Sequence, residues 1–227
     1  MHYVIVQQPV SSASQLFLLY HGVGDTPESM AEIGSWFGRA FPEALVVAVG
    51  APQRDHARQW FIEAGGEGAA SQVAIDAILP TFVETVQHWQ QKSGVSPLGT
   101  ALVGFSQGAT LILEGINAHP ELAGRVIAFS GRFNTLPAKA SRKTTIHLIH
   151  GDNDRQIPLT HAVDAEERVA ALGGDITLDI IDELPHAIDD KGINIALNHL
   201  RNTVPKRYFD EALGGAKPGE DDVVMMM

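Results

Sequence analysis

The sequence predicts one doubly wound α/β domain, a mostly parallel central sheet with helices on both faces. Three observations carry this. Strand-length apolar segments alternate along the chain with longer amphipathic ones, as strands and crossover helices do in a parallel sheet. Residues 16–20 (LFLLY) and 45–49 (LVVAV) are apolar throughout, which fits strands covered on both faces. Residues 100–109 (TALVGFSQGA) read as an apolar run, then Gly-x-Ser-x-Gly, then small and apolar residues that open a helix. That is the pattern of a strand turning sharply into a helix with a serine hydroxyl at the bend. With 227 residues the chain is long enough for one well-buried domain of this kind and short for two.

Taken in order, residues 3–7 form a short edge strand and 16–20 a buried one that ends in His21-Gly22-Val23-Gly24-Asp25-Thr26-Pro27. Proline suits a first helical turn, so Thr26 caps a helix starting at Pro27, with Met30, Ile33, Trp36, Phe37 and Phe41 at roughly helical spacing. Residues 45–49 are the next strand, stopped by Gly50-Ala51-Pro52. A long polar loop spans 53–70; connections of that length are uncommon and usually functional. Helix resumes near Ser71, with Val73, Ile75, Ile78, Leu79, Phe82, Val83, Val86 and Trp89 on its apolar face and a kink expected at Pro80. After the serine turn and its helix, residues 125–131 and 144–151 are strands. Residues 161–172 are a helix closed by Gly173-Gly174, 175–182 an edge-proximal strand, and 187–200 the last clear helix. Residues 1–213 are thus read as one domain and 214–227, glycine-rich, acidic and ending in three methionines, as a weakly ordered tail.

Composition removes several classes of function. The formal net charge of −11 argues against nucleic acid as a partner, because phosphate binding needs clustered lysine and arginine. The absence of cysteine excludes disulfides, thiolate nucleophiles and cysteine-ligated metals. No apolar run approaches the roughly 20 residues that span a bilayer. The first residues carry no basic region or cleavage site of a signal peptide, so a cytoplasmic location is expected.

Active groups of doubly wound sheets collect at the carboxyl ends of the strands. Ser106 falls there, as do the turns His21–Asp25, Gly151-Asp152-Asn153-Asp154 and Glu183-Leu184-Pro185-His186. The chain order is serine, aspartate, histidine, the order of one known class of nucleophilic hydrolases. A serine hydroxyl is a weak nucleophile at neutral pH; it needs a base in hydrogen-bond reach, and that base needs a carboxylate to fix its tautomer. By pattern alone either Asp152 or Asp154 supplies the carboxylate. His21 and His150 each precede a glycine at a strand end and read as hydrogen-bonded loop residues. His147, His150 and Asp152 are poorly spaced for a closed metal shell, so no metal and no cofactor are expected. Asp25 reads as a turn or helix-capping residue.

The segments LYHGVGD (19–25), GFSQG (104–108), HGDND (150–154) and LPH (184–186) together resemble the phospholipase/carboxylesterase family of α/β-hydrolases, which includes the acyl-protein thioesterases. The resemblance covers nearly the whole chain. The stretches GSWF (34–37), RQWF (58–61) and KRYFDEAL (206–213) resemble, more narrowly, the bacterial YpfH-type esterases. The resemblance implies a single-domain α/β-hydrolase fold without a cap domain, Ser106 as nucleophile, Asp154 as orienting carboxylate and His186 as base. It also implies an oxyanion hole from the backbone N–H groups of Val23 and Gln107. Arg155 stands where many relatives carry proline.

The reading that follows is a serine carboxylesterase acting through an acyl-enzyme on a small-molecule ester or thioester, with short to medium acyl groups. Acyl-protein or acyl-CoA thioesterase and lysophospholipase are the alternatives on the same triad. A non-catalytic ligand-binding protein of this fold is the remote one, which the complete set of three residues opposes. The apolar candidates near the strand ends are Trp60, Phe61, Phe133, Ile157, Leu184 and Ile188, enough for a shallow groove; Trp60 and Phe61 serve equally well as packing for the long loop.

Overall fold

A computed structural model describes residues 2–54 and 57–214. Seven strands make the central sheet: β1 (Tyr3–Gln7), β2 (Gln15–Tyr20), β3 (Ala44–Val49), β6 (Thr100–Phe105), β7 (Arg125–Phe129), β8 (Thr145–Gly151) and β9 (Asp175–Ile181). They lie in the order β1-β3-β2-β6-β7-β8-β9. β1 pairs with β3 antiparallel, and every other pairing in this sheet is parallel. The remaining two strands, β4 (Gln53–Arg54) and β5 (Ala57–Arg58), form a small hairpin in the long loop.

The all-apolar strands are explained by their alternation. In β2, Leu16, Leu18 and Tyr20 enter one core while Phe17 and Leu19 enter the other. β3 divides the same way, Leu45, Val47 and Val49 against Ala44, Val46 and Ala48. A strand that must bury both faces has no polar position to spare. The first core is covered by α2 (Gln72–Ser93), α3 (Gln107–Ala118) and α4 (Thr160–Ala171). The second is covered by α1 (Pro27–Ala40) and α5 (Asp190–Asn202).

Helix ends follow local chemistry. Thr26 caps α1, its hydroxyl accepting from Ser29 N–H at 3.2 Å. Ser71 caps α2 and Gly94 ends it in the left-handed region. α2 continues through Pro80, so the expected kink does not interrupt it. α5 begins at Asp190 and not near Ala187, because the Asp189 carboxylate accepts from Gly192 N–H at 2.7 Å and fixes the cap there. Lys206–Gly214, not read as a helix from sequence, is a sixth helix, α6, with Tyr208 and Arg207 buried. Residues 215–227, the rest of the expected tail, lie outside the described residues. Among the described residues no helix is long and apolar enough to cross a membrane.

Candidate active site

β6 delivers Ser106 to the carboxyl edge of the sheet, and α3 starts at the next residue. Ser106 sits at φ 53°, ψ −118°, a backbone conformation that a serine holds only when its surroundings enforce it. The flanking glycines explain how. A Cβ on Gly104 would lie 2.6 Å from Ala109 N, and one on Gly108 would press into the Tyr20 carbonyl oxygen and lie 2.6 Å from that of His21. The turn closes so tightly against β2 and the first turn of α3 that side chains on either side of the serine are excluded. Ser106 N–H donates to Phe129 O at 2.9 Å, pinning the bend to β7.

The loops after β8 and β9 complete the arrangement. His186 Nδ1 donates to Asp154 Oδ2 at 2.7 Å, and its Nε2 lies 2.8 Å from Ser106 Oγ. A carboxylate only accepts, so the Nδ1 proton is fixed and Nε2 is left to accept from the serine hydroxyl. Asp154 is 6% exposed. Its Oδ1 accepts from Gln156 and Ile157 N–H, both at 2.9 Å. His150 Nε2, bonded to Ile157 O at 2.7 Å, lies 3.3 Å from Asp154 Oδ2. The aspartate is therefore held at both oxygens. The Phe105 ring backs the His186 imidazole, centroid to centroid 5.0 Å.

Asp152 does something else. Its Oδ1 accepts from Glu183 N–H at 2.7 Å, and Asn153 N–H donates to Leu184 O, so the 151–154 turn and the loop carrying His186 are tied together. A side chain on Gly151 would run into the Leu184 carbonyl oxygen, which is why that turn opens on glycine.

The turn after β2 is held by a second network. His21 is fully buried; its Nδ1 donates to Gly22 O at 2.7 Å and its Nε2 accepts from Ala51 N–H at 3.0 Å. Burial holds its pKa below the ordinary histidine value, in keeping with a neutral ring. Trp60 Nε1 donates to His21 O at 2.8 Å, and Gly24 N–H donates to Arg58 O at 2.9 Å. The buried Gln107 side chain accepts from Trp60 N–H at 2.6 Å and donates to Phe61 O and Glu63. Val23 N–H and Gln107 N–H, the latter at the first position of α3, have no hydrogen-bond acceptor among the described residues.

A cavity of about 540 Å³ opens over Ser106 and His186, lined also by Val23, Asp25, Glu63, Phe105 and Ile157. Among the described residues no group of three or more metal-ligating side chains is placed to hold an ion.

Residues 1–204 match the phospholipase/carboxylesterase family. The chain belongs to that family. As a phospholipase/carboxylesterase family member with the α/β-hydrolase fold, it is an enzyme, a serine hydrolase of carboxylic esters. It is 56% identical to the esterase YpfH of Escherichia coli (strain K12) over 226 residues, which span 98% of this chain and 97% of that one. It is 24% identical to acyl-protein thioesterase 1 of Kluyveromyces lactis, over 72% of this chain and 80% of the other. Among solved structures, esterase PE8 superposes with a TM-score of 0.79 at 27% identity, over 87% of this chain and 97% of that one.

Of the six apolar residues expected to line a groove, Ile157 alone is among those lining the family member's cavity at Ser106. Trp60, Phe61 and Phe133 are 3%, 2% and 5% exposed and belong to the first core. The backbone and indole N–H of Trp60 are bonded to Gln107 and His21, which draws that segment inward. Leu184 and Ile188 pack against the second core. His150 lies within strand β8, one residue before its end, and is not a loop residue. What sequence reading missed is polar: the Gln107 side chain, the position of His150 beside Asp154, and Glu63 in the cavity wall. The spacing of the family motifs carries no signal for any of them.

Proposed function

We propose that Ser106, His186 and Asp154 are the catalytic triad of a carboxylesterase acting on short to medium acyl esters. The observation that carries this reading is the continuous hydrogen-bond chain from Asp154 Oδ2 through His186 to Ser106 Oγ, at 2.7 and 2.8 Å. Ser106 Oγ attacks the ester carbonyl carbon as its proton passes to His186 Nε2. Asp154 stabilises the imidazolium without taking the proton. Val23 and Gln107 N–H receive the oxyanion, worth roughly 3–4 kcal/mol per donor in comparable sites. Collapse of the tetrahedral intermediate expels the alcohol, which takes its proton from His186. Water, deprotonated by the same imidazole, then cleaves the acyl-serine to free acid.

The preference for small acyl groups rests on the cavity lining. Val23, Phe105 and Ile157 are its apolar side chains, set among glycines, carboxylates and a glutamine. Each buried methylene contributes about 0.8 kcal/mol only while apolar surface remains to meet it. kcat/KM is expected to climb from acetyl to about butyryl or hexanoyl esters and then to level or fall. Profiling p-nitrophenyl esters from C2 to C16 below their micellar concentrations, with acyl-CoA thioesters alongside, is the test. A preference that keeps rising to C16 would favour the lipid or acyl-protein substrate instead. Ser106→Ala is the control: a folded, active Ser106→Ala protein removes the triad reading altogether.

A further inference from the structure

The charges around the nucleophile point to a substrate class. Among the residues lining the cavity at Ser106, Asp25 and Glu63 are acidic and none is lysine or arginine. Both carboxylates keep an uncommitted oxygen. Asp25 Oδ1 accepts from Thr26 N–H at 2.9 Å and from the Ser29 hydroxyl, while its Oδ2 has no hydrogen bond among the described residues. Glu63 Oε1 accepts from Gln107 Nε2 at 3.1 Å, which tethers this exposed side chain to the residue next to the nucleophile and leaves Oε2 free among the described residues. Neither carboxylate is in an ion pair there. Around the cavity, Arg58 donates to Ala51 O at 3.1 Å; Arg132 donates to the Glu67 and Phe133 carbonyls and lies 3.1 Å from His161, itself 2.8 Å from Glu67; and Arg155, next to Gln156, does not line the cavity.

We infer that Glu63 and Asp25 make the site selective for esters that carry a positive charge, such as a quaternary ammonium group, and adverse to anionic esters. The inference rests on the triad reading, since it assumes that this cavity receives the ester. A cation in the cavity finds two carboxylates with free lone pairs and no lysine or arginine in the lining. The N-terminus of α1 behind Asp25 offsets part of that residue's charge, so Glu63 is the stronger contributor. Solvent-exposed ion pairs are each worth a factor of about 1.4 to 5 in binding, giving about 2- to 30-fold from the two together.

The test compares isosteric substrates. Butyrylcholine is set against 3,3-dimethylbutyl butyrate, placing the charge in the alcohol part. Ethyl 4-(trimethylammonio)butanoate is set against ethyl 5,5-dimethylhexanoate, placing it in the acyl part. The expected result is a kcat/KM ratio of about 2 to 30 in favour of the cation in at least one pair, shrinking toward one as salt is raised. Glu63→Gln keeps the acceptor for Gln107 and removes the charge, so the ratio should fall; adding Asp25→Asn should lower it further. A ratio of one or less in both pairs, with the neutral esters turned over, overturns the inference and leaves the triad reading standing. A wild-type ratio that Glu63→Gln leaves unaltered removes Glu63 as its source. Loss of turnover on all four substrates, with p-nitrophenyl butyrate still hydrolysed, overturns this inference alone; a folded, active Ser106→Ala protein overturns the triad reading and this inference with it.

Discussion

Asp154→Asn exchanges one oxygen for an amide nitrogen, and the surroundings decide where that nitrogen goes. Asp154 Oδ1 faces two backbone donors, Gln156 and Ile157 N–H, each at 2.9 Å. An asparagine must present its carbonyl oxygen there, since an amide NH₂ would leave both N–H groups facing a donor. The NH₂ is then turned toward His186 Nδ1, at the position that now accepts at 2.7 Å. His186 can answer only by accepting at Nδ1 and carrying its proton on Nε2, the nitrogen that should accept from Ser106 at 2.8 Å. The nucleophile loses its base while the loops keep their shape. The expected loss is about 10⁴-fold in kcat, or about 5 kcal/mol in the barrier, with KM little changed. Asp152→Asn is the matched comparison: its Oδ1 accepts from Glu183 N–H, a bond that asparagine can keep, so activity should stay within a few-fold of the parent. Steady-state hydrolysis of p-nitrophenyl butyrate by both variants, with circular dichroism to show that they are folded, is the assay. A large loss in Asp152→Asn with near-normal Asp154→Asn would refute the reasoning.

Three further outcomes follow from named contacts. Gly108→Ala drives a methyl group into the Tyr20 and His21 carbonyls, backbone that cannot yield, so it should cost about 3 kcal/mol in urea unfolding and abolish turnover; a stable, active variant would contradict the tightness of the turn. Trp60→Phe leaves the buried His21 carbonyl without its indole donor, at an expected cost of about 1–3 kcal/mol, with kcat lowered because that carbonyl leads into the Val23 turn. His21, His147 and His150 are all held below the ordinary histidine pKa, by burial first. The unfolded chain therefore binds protons that the folded one refuses, and unfolding free energy should fall as pH drops below about 6.5, by up to about 1.4 kcal/mol per pH unit for each histidine. Burial raises the pKa of Glu114, which acts in the opposite sense above about pH 4.5, so Glu114→Gln should steepen the acid slope measured by urea titrations between pH 7 and 5.

Much of the molecule is determined locally. All-apolar strands, capping residues such as Thr26 and Ser71, and the Gly-x-Ser-x-Gly turn are consequences of a few adjacent residues, so the sheet, most helices and the position of Ser106 can be read along the chain. That the 151–154 and 183–186 turns meet Ser106 is legible for a related reason: each is a short turn at a strand end, and a parallel sheet gathers those ends on one edge, whereas the choice of Asp154 over Asp152 came from the family resemblance. The cavity wall was not legible. Whether Trp60 and Phe61 face a substrate or the core depends on hydrogen bonds to Gln107 and His21, 47 and 39 residues away from Trp60 in the chain. The register of the long loop against the turn after the serine puts Glu63 into the cavity and takes the Trp60 and Phe61 rings out of it. The start of α5 is by contrast local: the Asp189 carboxylate caps it and sets it at Asp190, not at residue 187. Sequence by itself determined what one strand, one turn or one helix could do with its own residues. Tertiary structure decided what faces the ester, because the cavity is a space between segments and no one segment encodes its lining.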